Sequence, residues 1–221
     1  MRVLWTLAVL TGLGGALLAP AWAQMDQAAQ LDRGEELFAL CSQCHGSDGG
    51  GDRAALAPSI AGLESWYVEA QLNKFRDGSR SSHFDDIGGL RMRPMARWLK
   101  TEEDVKAAAA YVAALPANRS APVLEGGDAA KGAALYAVCA GCHGLSGEGN
   151  QAIGAPSLTH TSDWYQQTQI KNYQQGIRGT DPRDVQGTAM RPMALSLPDE
   201  QAVKDVLAHI ATLSPTAGGT K

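Results

Sequence analysis

Two short stretches decide how this chain is organised: CSQCH at residues 41–45 and CAGCH at residues 139–143. Both follow the pattern Cys-x-x-Cys-His, and together they contain all 4 cysteines of the chain. The shift of 98 residues that superimposes them also aligns residues 34–115 with residues 132–213 without a gap. A self-match of this length indicates a duplicated domain, because a motif recurring by chance would not carry its surroundings with it.

The two copies define the domain boundaries. The stretch PANRSAPVLEGGD at residues 116–128 is rich in Pro, Gly and Ala, as expected of a linker. At the N-terminus, one arginine, an apolar run and a small-x-small tripeptide ending at Ala23 are typical of a secretory signal peptide. An uncleaved N-terminal membrane anchor is the alternative interpretation. We predict a signal peptide at 1–23 cleaved after Ala23, a first domain at 24–116, the linker at 117–127 and a second domain at 128–221.

Charge and hydropathy limit the classes of function. The 221 residues carry a net charge of −4, and neither half has the basic excess of a nucleic-acid-binding protein. No stretch after the N-terminal segment is apolar enough to span a bilayer. We therefore expect an exported, periplasmic and soluble protein, whose membrane association would come only through its partners.

The periodicity of apolar residues predicts an all-α fold in each copy. Thr101 and Asp199 occupy equivalent positions and are expected to be N-caps of the closing helices. The tetrad MRPM occurs at 92–95 and again at 190–193, and we expect both copies to lie in a loop before the closing helix. The predicted helices span 31–40, 65–75 and 102–115 in the first copy, and 129–138, 162–173 and 200–213 in the second.

The Cys-x-x-Cys-His pattern is the attachment signature of c-type haem. Two thiols bond the two vinyl groups of the porphyrin, and the following histidine faces the iron. A thioredoxin-like redox pair needs neither the histidine nor a second copy. A four-cysteine zinc site would need its two Cys-x-x-Cys pairs about 15–20 residues apart. We predict no disulfide and two covalent haems c, one held by Cys41, Cys44 and His45 and the other by Cys139, Cys142 and His143.

The second axial ligand of each iron must come from elsewhere in the copy. The cysteines are consumed by attachment, so thiolate ligation is excluded. The remaining histidines, His83, His160 and His209, have no histidine at the equivalent position of the other copy. The MRPM tetrads supply the only candidate ligands that repeat, and they contain 4 of the 6 methionines. The residues alone leave open which methionine of each tetrad binds iron.

Each copy resembles a class I cytochrome c, with a Gly and an aromatic residue in the first helix, Cys-x-x-Cys-His, a proline, the methionine segment and a closing helix. The tandem resembles the cytochrome c4 family of periplasmic dihaem electron carriers. The resemblance implies that the Pro58 and Pro156 carbonyls accept a hydrogen bond from the proximal histidines. It also implies that the ligand lies seven residues before the leucine leading into the closing helix, which selects Met92 and Met190 over Met95 and Met193.

A haem with His and Met ligands has no open position for a substrate, so the sequence predicts an electron-transfer protein rather than an enzyme. The expected donor is a quinol-oxidising complex or dehydrogenase, and the expected acceptor is a terminal oxidase or reductase. One alternative is the cytochrome subunit of a dehydrogenase complex, such as a flavin-dependent sulfide dehydrogenase. A dihaem peroxidase or a thiosulfate dehydrogenase is disfavoured by the two matched methionine segments and by the lack of a spare cysteine.

The two copies differ in charge around MRPM. The first has a basic cluster that the second lacks, which could be a docking face for an acidic redox partner or a solvated segment. Nearby positive charge favours reduced iron, so we expect the first haem to have the higher potential. Arg80 and Arg178, with the Trp-Tyr pairs at 66–67 and 164–165, could bond haem propionates, but aromatic pairs at a helix start are more often core residues, and we do not count them among the site residues. The basic cluster consists of Arg91, Arg93, Arg97 and Lys100.

Overall fold

The computed structural model describes residues 21–118 and 121–213, and in these ranges it contains helices and no strand. The first domain has α1 (Ala21–His45), α2 (Ser65–Asp77), α3 (Ile87–Trp98) and α4 (Glu102–Ala114). The second has α5 (Ala129–His143), a short 3-10 turn (Gln151–Ile153), α6 (Asp163–Gln174), α7 (Val185–Leu195) and α8 (Glu200–Thr212). The predicted all-α fold in two tandem domains is confirmed.

The predicted N-terminal signal falls mostly on residues 1–20, which lie outside the described part of the chain. Within the described ranges, none of the helices combines the length and the apolar character needed to cross a bilayer.

In each domain the first helix crosses the closing helix at a glycine. A Cβ at Gly34 would collide with the backbone carbonyl of Ala107 in α4, and one at Gly132 would collide with that of Asp205 in α8. One turn further on, the Phe38 ring lies 5.2 Å from the Tyr111 ring, and Tyr136 lies 5.1 Å from His209. The absent side chain therefore lets the two helix backbones approach closely, and the aromatic pair fills the space beside the crossing.

Four helices start with a side-chain cap at equivalent places. Thr101 Oγ1 accepts from the Asp104 N–H at 3.0 Å, and Asp199 Oδ1 accepts from the Ala202 N–H at 2.8 Å. These bonds confirm the two predicted N-caps and satisfy donors that would otherwise be unpaired at a helix start. Asp86 caps α3 and Asp184 caps α7 in the same way.

The expectation that the MRPM tetrads lie in loops is wrong. Residues 92–95 lie inside α3 and residues 190–193 lie inside α7, each with a proline within the helix. A proline removes one backbone hydrogen bond and usually interrupts a helix. Here the aspartate cap starts the helix and a buried face holds it, with Gly89 and Ala96 buried in α3 and Gly187 and Ala194 buried in α7.

The two domains contact each other through polar side chains. Lys74 of α2 forms an ion pair with Asp184 of the second domain at 2.6 Å. Arg183 Nη1 donates to the Asp77 carbonyl at 3.3 Å. The segment between the domains is also fastened, because Asp163 accepts hydrogen bonds at 2.8 Å from the Val123 and Leu124 N–H groups.

Candidate haem sites

The cysteines of each Cys-x-x-Cys-His motif lie at the C-terminal end of a helix, α1 or α5. Residues three apart in a helix share a face, so both thiols of a motif are presented on the same side. Cys44 and Cys142 are exposed, while Cys41 and Cys139 are partly buried and burial raises the pKa of their thiols. This arrangement can present two sulfur atoms to one porphyrin edge.

The histidine of each motif is oriented by a proline carbonyl. Nδ1 of His45 donates to the Pro58 carbonyl at 2.8 Å, and Nδ1 of His143 donates to the Pro156 carbonyl at 2.8 Å. Both hydrogen bonds were expected from the resemblance and both are confirmed. They place the proton of the neutral ring on Nδ1 and leave the Nε2 lone pair for a metal.

Both imidazoles are held in their neutral form. Burial lowers the pKa of His45, while the hydrogen bond to Pro58 works in the opposite direction. Burial likewise lowers the pKa of His143, opposed by the bond to Pro156 and by the negative charge of Glu64. A neutral imidazole is the form that coordinates iron.

The two methionines of each tetrad differ in burial. Met92 is partly buried and packs against the core cluster that contains Ala96 and Leu99. Met190 is also partly buried, at the equivalent position of α7. Met95 and Met193 are 39% and 38% exposed. The first methionine of each tetrad is therefore the more buried one, and it lies one helical turn before a buried alanine, Ala96 or Ala194.

Two buried arginines fit the acidic edge of a haem. Arg80 is 4% exposed and Arg178 is 8% exposed. The guanidinium groups lie over the rings of Phe75 and Tyr173 at 4.4 and 4.8 Å. Each has an Nε with no hydrogen-bond partner, and among the described residues neither forms an ion pair with a carboxylate. A buried cation needs a counter-charge, and the propionates of a haem would supply it.

Two glutamines share these arginines across the domain boundary. Gln71 Oε1 accepts from Arg80 at 2.7 Å and from Arg178 at 3.1 Å. Gln169 Oε1 accepts from Arg178 at 2.8 Å and from Arg80 at 3.1 Å. Gln71 and Gln169 occupy equivalent positions of the two copies. That equivalence could have drawn attention to them, but the sequence alone indicated no role for them. The network joins the two candidate haem sites through one polar interface.

The remaining histidines lie in unrelated surroundings. His83 stacks on Phe84 at 4.6 Å, and His209 packs beside Tyr136. His160 has a buried Nδ1 without a hydrogen-bond partner. The two domains therefore share only the Cys-x-x-Cys-His histidines and the MRPM methionines as candidate axial ligands.

The sequence model of the cytochrome c family matches the chain twice, at residues 31–116 and 129–214. The chain belongs to the cytochrome c family. With two such domains and two Cys-x-x-Cys-His motifs it is a c4-type dihaem cytochrome c, which carries two covalently attached haems and transfers electrons. Cys41 and Cys44 attach one haem, and Cys139 and Cys142 attach the other.

Relatives and solved structures agree with this assignment. The thiosulfate dehydrogenase electron acceptor of Stutzerimonas stutzeri is 34% identical over 183 residues, covering 77% of this cytochrome and 78% of that protein. The crystal structure of reduced cytochrome c4 from Pseudomonas stutzeri matches with a TM-score of 0.67 and 27% identity, covering 83% of this cytochrome and 98% of that chain. The thiosulfate dehydrogenase TsdBA of Marichromatium purpuratum matches with a TM-score of 0.67 and 30% identity, covering 82% of this cytochrome but only 40% of that chain.

Proposed function

We propose that this cytochrome is a periplasmic electron carrier that takes electrons from a dehydrogenase and delivers them to a terminal oxidase or reductase. The observation that carries the proposal is the matched pair of sites, each with one oriented histidine and one methionine on a buried helix face. A haem supplies a one-electron Fe(III)/Fe(II) couple, and ligation by His and Met raises its potential toward that of late respiratory components.

In each domain the motif histidine and the first methionine of the tetrad would hold the haem iron. His45 and Met92 would do so in the first domain, and His143 and Met190 in the second. The histidines are supported by the two 2.8 Å bonds to proline carbonyls. The methionines are supported by their partly buried positions beside the core. With both axial positions filled by protein, neither site would be open to a substrate.

The proposed donor is a thiosulfate dehydrogenase. The support is the 34% identity to a thiosulfate dehydrogenase electron acceptor over most of both chains, together with the structural match to TsdBA. The class of acceptor rests on the high potential expected of His and Met ligation. The alternative is a permanent cytochrome subunit of a dehydrogenase complex, which would be distinguished by co-purification with its partner at high salt.

A basic face on the first domain suits an acidic redox partner. Arg93, Arg97 and Lys100 line an open cleft of about 580 Å³ together with Pro94 and Trp98. The second domain has Arg191, Leu195 and Pro198 at the three positions equivalent to these cations. Positive charge beside an exposed aromatic side chain favours association with an acidic surface and makes the rate depend on salt.

The test is reduction of the purified, oxidised holoprotein by thiosulfate in the presence of catalytic amounts of a thiosulfate dehydrogenase. We expect both haems to become reduced, at a rate that falls as salt concentration rises, and to be reoxidised by a terminal oxidase preparation. Failure of both reactions would overturn the carrier proposal. Reduction by a different dehydrogenase alone would overturn the choice of donor.

A further inference from the structure

The peptide bond between Pro156 and Ser157 is hydrogen-bonded on both sides. Its carbonyl accepts from Nδ1 of His143 at 2.8 Å. Its N–H donates to Oε1 of Glu64, a residue of the first domain, at 3.2 Å. One planar, conjugated amide therefore links the proximal histidine of the second domain to a carboxylate of the first.

The first domain has the same chain of hydrogen bonds from histidine through a peptide bond, but a different side chain stands at its far end. The Pro58 carbonyl accepts from Nδ1 of His45 at 2.8 Å, and the Ser59 N–H donates to Oγ of Ser162 in the second domain at 3.2 Å. Ser162 is the repeat equivalent of Glu64, since both lie at the start of the middle helix of their domain. The two chains of hydrogen bonds have the same geometry. The one that starts at His45 ends at a neutral hydroxyl, and the one that starts at His143 ends at a carboxylate.

The charge of Glu64 is poorly compensated in the described part of the chain. Its side chain is partly buried, and its second oxygen Oε2 is buried; among residues 21–118 and 121–213 that oxygen has no hydrogen-bond partner and Glu64 forms no ion pair. A charge held in this way acts on its neighbours with little screening by salt. Its influence on the second site should therefore exceed that of a surface glutamate.

The Ser162 hydroxyl and the Glu64 carboxylate should affect their histidines differently. A hydrogen bond to an ionised acceptor is stronger than one to a neutral acceptor, and linked hydrogen bonds polarise one another. A carboxylate on the N–H side makes the Pro156 carbonyl a better acceptor, which draws the Nδ1 proton of His143 closer to it. The imidazole then becomes the more electron-rich ligand, and such a ligand favours oxidised iron.

We propose that Glu64 of the first domain lowers the reduction potential of the haem in the second domain through the Pro156–Ser157 peptide. The inference rests on axial ligation by His143, as proposed above, and not on the identity of any redox partner. It makes the two haems unequal, with the electron of the half-reduced protein residing preferentially in the first domain. Glu64 is thus a tuning residue that acts across the domain interface.

The experiment is a redox titration of the full holoprotein, followed in its visible spectrum and by proton NMR of the haem methyl groups, which separates the two sites. Glu64→Gln removes the charge but keeps an acceptor oxygen, and Glu64→Ser reproduces the end group of the first domain. Glu69→Gln is the matched control, because Glu69 lies in α2, which begins directly after Glu64, and among the described residues its carboxylate makes no hydrogen bond to the Pro156–Ser157 peptide.

In both Glu64 variants we expect the reduction potential of the second haem to rise. The potential of the first haem should change by less than about a third of that rise. The equilibrium constant for sharing one electron between the haems should change about threefold to tenfold, the upper limit corresponding to ~59 mV. The NMR signal of the His143 Nδ1 proton should move with it. An unmoved second haem, an equal shift of both haems, or the same shift in Glu69→Gln would overturn the proposal. If reduction by a dehydrogenase and reoxidation by a terminal oxidase both fail while these shifts appear, only the carrier proposal fails.

Discussion

Nζ of Lys74 lies 2.6 Å from Oδ1 of Asp184, across the boundary between the two domains. The lysine side chain is 13% exposed and the aspartate side chain is 1% exposed. Asp184 also caps α7 by accepting from the Gly187 N–H at 2.9 Å. One buried carboxylate therefore joins the domain interface to the start of the helix that contains Met190.

Replacing Lys74 should destabilise the second domain. Lys74→Met leaves the buried Asp184 carboxylate without its cation, which costs about 3–5 kcal/mol in comparable buried pairs. In urea unfolding of the holoprotein, followed by its Soret absorption, the Lys74→Met variant should have a lower midpoint urea concentration than the wild type. Lys131→Met is the matched control. The Lys131 side chain is 73% exposed and that of its partner Asp128 is 46% exposed, and exposed ion pairs of this kind contribute about 0–1 kcal/mol to stability. Equal losses in the two variants would contradict this role.

The contribution of Asp184 to stability should disappear in acid. Burial alone would raise the pKa of Asp184, but the hydrogen bond from Lys74 and the charge of Arg178 hold it below its ordinary value. A carboxyl with a lowered pKa gives stability that is present above its unfolded pKa, about 4, and is lost as the pH falls through the folded value. The difference in urea midpoint between the wild type and Lys74→Met should therefore be full at pH 7 and shrink below about pH 4. A difference that grows on acidification would refute this assignment.

The close crossing of α5 and α8 should not tolerate a side chain. In Gly132→Ala the new Cβ would meet the backbone carbonyl of Asp205, and overpacking of this kind costs about 1–3 kcal/mol. Gly141→Ala in the same helix is the control, since no atom of the described residues lies within 4 Å of its Cβ position. That substitution should be neutral or stabilise the helix by up to about 1 kcal/mol. Thermal unfolding of both holoproteins measures the contrast, and an unchanged midpoint for Gly132→Ala would show that the helices can separate without cost.

Removing a buried arginine at the interface should lower a haem potential. Arg178→Gln deletes a positive charge that favours reduced iron, and at an effective dielectric near 20 the change is on the order of 1 kcal/mol. Arg183→Gln removes an arginine whose side chain is 58% exposed and which pairs with Asp181, so screening should leave both potentials nearly unchanged. Equal effects of the two substitutions in a redox titration would argue against a role of Arg178 at a propionate.

Most of the local structure could be predicted from the sequence, because it depends on neighbours along the chain. Thr101 and Asp199 cap helices as their residue type and position suggested. The helical MRPM tetrad could not be predicted, because Pro94 disfavours a helix locally and only the packing of its buried face outweighs that penalty. The bond from Ser157 to Glu64 was also inaccessible, since it depends on how two domains dock.

The measurement that tests the account most directly is the near-infrared absorption band of Fe(III) bound to methionine, recorded for four single Met→Leu variants of the oxidised protein. Met92→Leu and Met190→Leu should each remove about half of the band and lower one of the two potentials, because each deletes one of two axial thioethers. Met95→Leu and Met193→Leu replace the more exposed methionines and should leave the band intact. Loss of the band in Met95→Leu and Met193→Leu instead would contradict the ligand assignment, and its absence from the wild-type protein would contradict His and Met ligation altogether.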